Sequence, residues 1–102
     1  MYAELYKRRK DAFDNIDKNL ENIVKLIKSS DKNSELYLFG SVLQSNFNYA
    51  SDIDILIITE NKNVIYDVLW KNDYSDPYEF HVRTREESKY YFKHIKKIKN
   101  IG

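Results

Sequence analysis

The segment Asp52–Thr59 constrains the fold most, because it carries the strongest strand pattern in the chain. It reads Asp-Ile-Asp-Ile-Leu-Ile-Ile-Thr, and a short run rich in isoleucine is typical of a buried strand. Side chains alternate between the faces of a strand, so Asp52 and Asp54 share one face while Ile53 and Ile55 share the other. The sequence therefore predicts a sheet strand that begins with two carboxylates about 7 Å apart.

Patterns on both sides of this strand predict a small α/β domain. The expected elements are a helix over residues 2–28, a strand Glu35–Phe39, a short helix in Val42–Gln44, a helix from Asn61 to about Lys71, a strand Tyr78–Arg83, and a last helix that opens on the capping box Thr84–Glu87 and carries Tyr91, Ile95 and Ile98 on its apolar face. Loops are expected at 29–34, 45–51 and 72–77. The predicted architecture is a small mixed sheet of about three strands flanked by helices, in one domain spanning residues 1–102.

The predicted helix from Asn61 to about Lys71 has one apolar side that should face the core. Its apolar spacing predicts that Val64, Ile65, Val68 and Leu69 point inward. Trp70 is expected to belong to the core as well.

Composition excludes several classes of protein. The chain has no cysteine, which excludes disulfide scaffolds and thiolate zinc sites. No apolar run reaches the roughly 18 residues that a membrane span needs, and no apolar signal core follows Met1, so we expect a cytoplasmic protein without membrane contact. Residues 31–82 carry three basic and nine acidic side chains, and this acidic centre makes direct nucleic-acid binding unexpected.

The paired carboxylates Asp52 and Asp54 have two interpretations. Two carboxylates on one strand face repel each other, and a divalent cation beside them removes the repulsion. Magnesium suits such a site because it takes oxygen ligands and keeps positions open for phosphate oxygens. The alternative is a pair of solvated aspartates at the start of a strand, and this pattern alone does not decide between them.

Gly40 is the single internal glycine of the chain, and it follows the strand Glu35–Phe39 and precedes Ser41. A glycine lets backbone approach a ligand closely, and a helix start after it offers N–H groups to a phosphate. The alternative is an ordinary turn capped by serine. If the turn cradles a phosphate, any side chain at Gly40 would crowd it.

Glu79 is a candidate third carboxylate. It lies on the predicted strand Tyr78–Arg83, on the face opposite Tyr78 and Phe80. If this strand neighbours Asp52–Thr59, Glu79 joins the two aspartates; otherwise it is a surface glutamate. His81 and Arg83 share the face of Glu79, and we expect a structural or solvated role for both. The alternative is that His81 contacts the nucleotide or a metal and that Arg83 contacts a phosphate.

The sequence Gly40-Ser41, ten residues and then Asp52-Ile53-Asp54 resembles the Gly-Ser-x10-Asp-x-Asp signature of the nucleotidyltransferase superfamily that includes DNA polymerase β. In size it resembles the minimal nucleotidyltransferases of archaea and bacteria, and the likeness covers about residues 35–101. The resemblance implies that Asp52, Asp54 and Glu79 bind metal, and that Gly40 and Ser41 hold the β- and γ-phosphates. It also implies two Mg²⁺ ions, with Mn²⁺ as a substitute, and ATP or another nucleoside triphosphate as substrate.

The same resemblance implies a partner. Minimal nucleotidyltransferases with this signature are antitoxins paired with HEPN toxins, and as a class they transfer AMP to a tyrosine of the toxin. Two alternatives stay open: an antitoxin that acts by binding alone, and an enzyme that modifies a small molecule such as an aminoglycoside. The sequence leaves open whether the protein forms homo- or hetero-oligomers.

Overall fold

The computed structural model of the chain describes residues 2–44 and 48–102, so part of the loop expected at 45–51 lies outside the described residues. The elements follow the order α1 (Tyr2–Asp14), α2 (Ile16–Ser30), β1 (Glu35–Phe39), a 3-10 turn (Gly40–Leu43), β2 (Ile53–Ile58), α3 (Lys62–Lys71), β3 (Tyr78–Arg83), α4 (Arg85–His94) and β4 (Ile98–Asn100). No helix among these residues is both long and apolar enough to cross a membrane.

The four strands form one mixed sheet in the order β3-β2-β1-β4. Strand β1 is antiparallel to both β2 and β4, whereas β2 and β3 are parallel. The α/β class with a mixed sheet and flanking helices is therefore confirmed. The antiparallel pairing of β1 with β2 places the end of β1 beside the start of β2, where the two aspartates lie.

The sheet has one strand more than expected, because the last helix is shorter than its apolar pattern predicts. Helix α4 ends at His94, and Ile95 already has extended backbone angles of φ −104° and ψ 117°. The chain then returns to the sheet, and Ile98 pairs with Phe39. Ile95 and Ile98 still pack against the same apolar cluster. The apolar spacing therefore correctly predicts that both side chains face the core, although the backbone at these two residues is not helical.

The helix predicted over residues 2–28 is two helices. At Asn15 the backbone leaves helical angles, with φ −113° and ψ 32°. The Asn15 side chain donates to the carboxylate of Asp11 at 2.9 Å and to its carbonyl oxygen at 3.3 Å. Asparagine side chains that bond the backbone in this way compete with helix continuation.

The two faces of the sheet bury different helices. Helices α1, α2 and α3 cover one face through a large cluster that includes Ile23, Ile27, Ile55, Ile57 and Ile65. Helix α4 and the segment after it cover only part of the other face, through Phe39, Leu56 and Ile58 with Tyr37, Tyr91, Ile95 and Ile98. The start of β2 on this second face is left beyond the apolar cluster, which is where polar side chains can gather.

The predicted inner face of α3 is correct in part. Ile65 and Leu69 are buried, whereas Val64 is 46% exposed and Trp70 is 85% exposed. The expectation that Val64 and Trp70 face the core is wrong. Ile65 and Leu69 are four residues apart and define the buried stripe, so Trp70, one position further, is turned by about 100° to its side.

The capping box at the start of α4 is confirmed. Thr84 Oγ1 accepts a hydrogen bond from the Glu87 backbone N–H at 3.2 Å, and Glu87 Oε1 accepts from the Thr84 N–H at 2.8 Å. Lys62 Nζ lies 2.5 Å from Glu87 Oε1. The hydrogen bond from Lys62, and then that from the Thr84 N–H, lower the pKa of Glu87 from 4.5 to about 2.

Replacing Thr84 with alanine is expected to lower the free energy of unfolding by about 1 kcal/mol, because the Glu87 N–H loses the hydroxyl that caps it. Urea unfolding at pH 7 measures the change. Glu87→Gln is the matched control, since glutamine keeps the capping geometry without the charge.

The lowered pKa of Glu87 in the folded state stabilises the fold above pH 4.5, and this contribution is lost as the pH falls towards 2. Glu87→Gln should therefore flatten the pH dependence of the free energy of unfolding in this window. An unaltered pH profile in Glu87→Gln would contradict the assignment.

Candidate active site

The parallel register of β2 and β3 brings two carboxylates together. Asp54 and Glu79 are Cα partners in the ladder, so their side chains project side by side on the face that α4 partly covers. The expectation that Glu79 lies beside Asp54 on a neighbouring strand is therefore confirmed. The Asp54 side chain is 18% exposed and that of Glu79 is 57% exposed, so solvent reaches the pair on the Glu79 side.

His81 completes a cluster of three donor groups. Its Nε2 lies 3.3 Å from Asp54 Oδ1 and 3.8 Å from Glu79 Oε1. One donor atom from each of the three residues falls within 4.8 Å of the others. Carboxylate oxygens and an imidazole nitrogen are common ligands of divalent cations, so the donor set fits a cation of that kind.

The other side of the His81 ring is packed. Nδ1 lies 3.0 Å from the Tyr91 hydroxyl, and the ring meets Phe39 edge-on with centroids 4.9 Å apart. Tyr91 in turn lies under the guanidinium of Arg83, with 5.5 Å from Cζ to the ring centroid. These contacts fix the His81 ring so that Nε2 faces the two carboxylates.

Gly40 packs directly on Asp54. Its φ is +82°, in the region that only glycine adopts without strain. A Cβ at this position would lie 2.3 Å from Asp54 Oδ2, well inside van der Waals contact. The glycine thus allows both the backbone angle of the turn and the close approach of the Asp54 carboxylate. Ser41 follows it in the 3-10 turn and is half-buried, where a single turn replaces the helix expected at Val42–Gln44.

Asp52 lies one residue before β2 and contacts a different group. Its Oδ1 is 3.6 Å from Arg9 Nη2, and its side chain is 52% exposed. Arg9 also donates to the carbonyl oxygens of Tyr49 at 3.0 Å and Ser51 at 2.9 Å, and it pairs with Asp76. Arg9 therefore ties the turn that carries Asp52 to the turn that precedes β3. The structure brings Asp54, Glu79 and His81 into one cluster. Asp52, which was expected on the same strand as Asp54, lies outside β2 and outside this cluster and pairs with Arg9 instead.

The sequence predicts no site role for Arg9 or Tyr91, and for His81 it favours a structural or solvated role over a contact with a metal or nucleotide. For His81 a signal existed, because it shares the strand face of Glu79 and follows it by two positions. The sequence predicts Tyr91 on the apolar face of α4, and it lies there. No pattern in the sequence predicts the hydrogen bond between its hydroxyl and His81. Arg9 is 43 positions from Asp52, so no local pattern links them.

Comparisons with known proteins agree with this fold. The sequence model of the nucleotidyltransferase domain family matches residues 20–102. One solved structure, described as that of a candidate nucleotidyltransferase, has 27% identity and a TM-score of 0.67 and covers 82% of this chain and 98% of its own. A second, a candidate nucleotidyltransferase from Sulfolobus solfataricus, has 25% identity and a TM-score of 0.56 and covers 80% of this chain and 76% of its own. No curated protein sequence matches significantly.

The family match spans most of the chain, including the turn at Gly40 and the strands that bear Asp54 and Glu79. Fold, carboxylate placement and sequence match thus point to the same class of transferase. The chain belongs to the nucleotidyltransferase domain family.

Proposed function

We propose that this protein is a metal-dependent adenylyltransferase that moves AMP from ATP to a tyrosine hydroxyl of a partner HEPN toxin, and so acts as an antitoxin. The observation that carries the proposal is the cluster of Asp54 and Glu79 beneath the Gly40 turn. Family membership supports nucleotidyl transfer, whereas the AMP group, the tyrosine and the HEPN partner rest on the resemblance in the signature Gly40-Ser41…Asp52-Ile53-Asp54.

Asp54 and Glu79 are the residues placed to hold a cation, and the resemblance adds Asp52. When bound, Mg²⁺ or Mn²⁺ would neutralise phosphate charge and make the acceptor hydroxyl more acidic, and members of this superfamily use two such ions. Two neighbouring carboxylates repel each other when both are ionised, unless a cation binds between them or one of them takes up a proton. The pairing of Asp54 with Glu79 therefore supports a cation requirement for binding a triphosphate.

The turn after β1 would receive the phosphates. Because Gly40 has no side chain, the backbone there can approach an anion, and the Ser41 hydroxyl can donate a hydrogen bond to it. The turn touches Asp54, so a triphosphate bound on the turn would lie against the carboxylates. This juxtaposition supports Gly40 and Ser41 as nucleotide-binding residues.

The proposed transfer balances as a displacement at the α-phosphorus. The tyrosine oxygen of the partner forms the new bond to this phosphorus, the bond to the oxygen that bridges the α- and β-phosphates breaks, and pyrophosphate leaves. The proton of the tyrosine hydroxyl passes to Glu79, whose side chain is 57% exposed and therefore accessible to a partner. Positioning of the two reactants supplies much of the rate.

A folded partner suits this site as the source of the acceptor. The Glu79 side chain is exposed, and a side chain presented by another protein can reach it. An interface of about 800 Å² on each side is enough to orient one side chain. Basic side chains concentrate in residues 83–102, seven against two acidic ones, which favours a partner surface that is acidic.

The experiment is to search for a HEPN reading frame beside the gene of this protein, and to incubate the two purified products with ATP and Mg²⁺. We expect the intact mass of the partner to increase by one or more AMP groups, and peptide mapping to place them on tyrosine. The control reaction with EDTA should give no increase. This protein without its partner should turn over ATP slowly or not at all.

The other outcomes separate the alternatives. A partner that is inhibited but never modified would overturn the catalytic proposal and favour an antitoxin that acts by binding. Efficient adenylylation of an aminoglycoside by this protein alone would favour a small-molecule enzyme and contradict the HEPN partner. A partner modified from GTP, CTP or UTP instead of ATP would leave the transfer intact and correct the nucleotide.

A further inference from the structure

We propose that His81 supplies a nitrogen ligand to the cation held by Asp54 and Glu79, and that the site consequently prefers Mn²⁺ over Mg²⁺. This inference rests on the metal dependence put forward above, and adds to it the identity of a ligand and the choice of ion. Three features of the structure carry it: the position of Nε2, the hydrogen bond at Nδ1, and the packing of the ring.

The position of Nε2 is that of a ligand. It faces both carboxylates at 3.3 Å from Asp54 and 3.8 Å from Glu79, and the three donor atoms lie within 4.8 Å of one another. Two ligands of one ion, each at a bond length of about 2.1 Å, can be no more than about 4.2 Å apart. Both distances from Nε2 already lie inside this limit.

The hydrogen bond at Nδ1 allows His81 to present a free lone pair. A tyrosine hydroxyl can donate or accept, so Tyr91 can pair with either neutral tautomer of the imidazole. When Tyr91 donates to Nδ1, the Nε2 proton is directed at Asp54; when Nδ1 donates to Tyr91, Nε2 is unprotonated and can bind a cation. Metal-binding histidines commonly have their second nitrogen in such a hydrogen bond.

The packing of the ring keeps Nε2 in place without a cation. The His81 side chain is 20% exposed, and its ring contacts Phe39 and Tyr91. A partly buried ring held on one side by aromatic contacts loses little further freedom on binding. The nitrogen is thus already positioned for an ion that Asp54 and Glu79 attract.

A nitrogen ligand changes which ion is favoured. Magnesium strongly prefers oxygen ligands in near-ideal octahedral geometry, whereas imidazole nitrogen favours transition metals. A site with two carboxylates and one imidazole should therefore bind Mn²⁺ more tightly than Mg²⁺. A site with carboxylates alone would show a smaller difference.

Pulsed electron paramagnetic resonance of Mn²⁺ bound to the intact protein tests the inference directly. Nitrogen-14 bonded to Mn²⁺ modulates the electron spin echo, and labelling histidine with nitrogen-15 changes the modulation in a defined way. We expect nitrogen modulation in the unmodified protein, its loss in His81→Gln, and its retention in His94→Gln. His94 is the other histidine of the chain, and it lies on the exposed side of α4.

Titration calorimetry with MnCl₂ and MgCl₂ provides the second measurement. His81→Gln should weaken Mn²⁺ binding by about 10-fold or more, the effect typical of residues that tune a metal site, and change Mg²⁺ binding by less than about 3-fold. Tyr91→Phe, which removes the partner of Nδ1, should weaken Mn²⁺ binding in the same direction. Circular dichroism checks that each variant is folded.

The outcomes distinguish this inference from the function on which it rests. Mn²⁺ that binds in an Asp54-dependent manner without nitrogen modulation would overturn the role of His81 and leave the metal-dependent transferase standing. Mn²⁺ that fails to bind, with or without the α,β-methylene analogue of ATP, would contradict both. Equal weakening of Mn²⁺ and Mg²⁺ in His81→Gln would show that His81 only positions Asp54, and would overturn the inference.

Discussion

Replacing Asp54 with asparagine is expected to reduce nucleotidyl transfer by about 1,000-fold or more. A cation site contributes several kcal/mol to stabilising charge in the transition state, and each 1.4 kcal/mol or so corresponds to a factor of ten in rate. Asp54 adjoins Glu79, His81 and the Gly40 turn at once, so its charge acts on every part of the site. Asparagine keeps the shape and removes that charge.

The same substitution is expected to leave the fold intact. Asp54 and Glu79 are like charges on neighbouring strands, and pairs of this kind destabilise a sheet by up to about 1 kcal/mol. An asparagine oxygen can still accept the hydrogen bond from His81. We therefore expect the free energy of unfolding of Asp54→Asn to equal or slightly exceed that of the unmodified protein.

Transfer of AMP to the partner at saturating Mg²⁺, and urea unfolding of the same samples, measure the two effects. Asp67→Asn is the matched control, since Asp67 lies on the surface of α3 in an ion pair with Lys71, away from the cluster. It should change neither quantity appreciably. An Asp54→Asn variant with normal transfer would remove Asp54 from the metal site, and one that unfolds would show that Asp54 is needed for the structure.

The part of the site that local pattern could predict is the face on which each residue lies. Strict alternation placed Asp54 on one face of β2 and Glu79 on one face of β3, and the structure confirms both. The register that sets them side by side depends on the parallel pairing of two strands 25 positions apart. Local pattern does not encode that pairing, so the position of Glu79 beside Asp54 follows only from the order of the strands in the sheet.

The parts that could not be predicted depend on contacts between distant segments. Ile98 pairs with Phe39 across the sheet, and the three-residue spacing of Ile95 and Ile98 suits a helix as well as a returning strand. Likewise, the contact of Arg9 with Asp52 joins helix α1 to the start of β2. For Ile98 a long-range pairing decides between a helix and a strand, and for Arg9 the partner lies too far along the chain for any local pattern to indicate it.

Gly40→Ala is expected to have the second large effect, because the added methyl group acts on the backbone and on Asp54 together. A non-glycine residue at φ +82° costs about 1–3 kcal/mol of strain. The new Cβ would also lie 2.3 Å from Asp54 Oδ2, so the carboxylate must move or the turn must open. Either movement separates the groups proposed to hold the phosphates from those proposed to hold the cation.

We therefore expect Gly40→Ala to lower transfer by about 100-fold or more, as misplacement of reacting groups by about 1 Å can do, and to lower the free energy of unfolding by about 1–3 kcal/mol. Ser41→Ala is the matched control in the same turn. It removes one hydroxyl donor without strain, so its loss of transfer should be much smaller, about 10-fold, and its stability should be unchanged. Mn²⁺ binding separates the two causes in Gly40→Ala: weakened binding shows that Asp54 has moved, whereas unchanged binding with lost transfer shows that the methyl group blocks the phosphates. Full activity in Gly40→Ala would mean that the turn carries neither role, and that the glycine is required only by the path of the chain from β1.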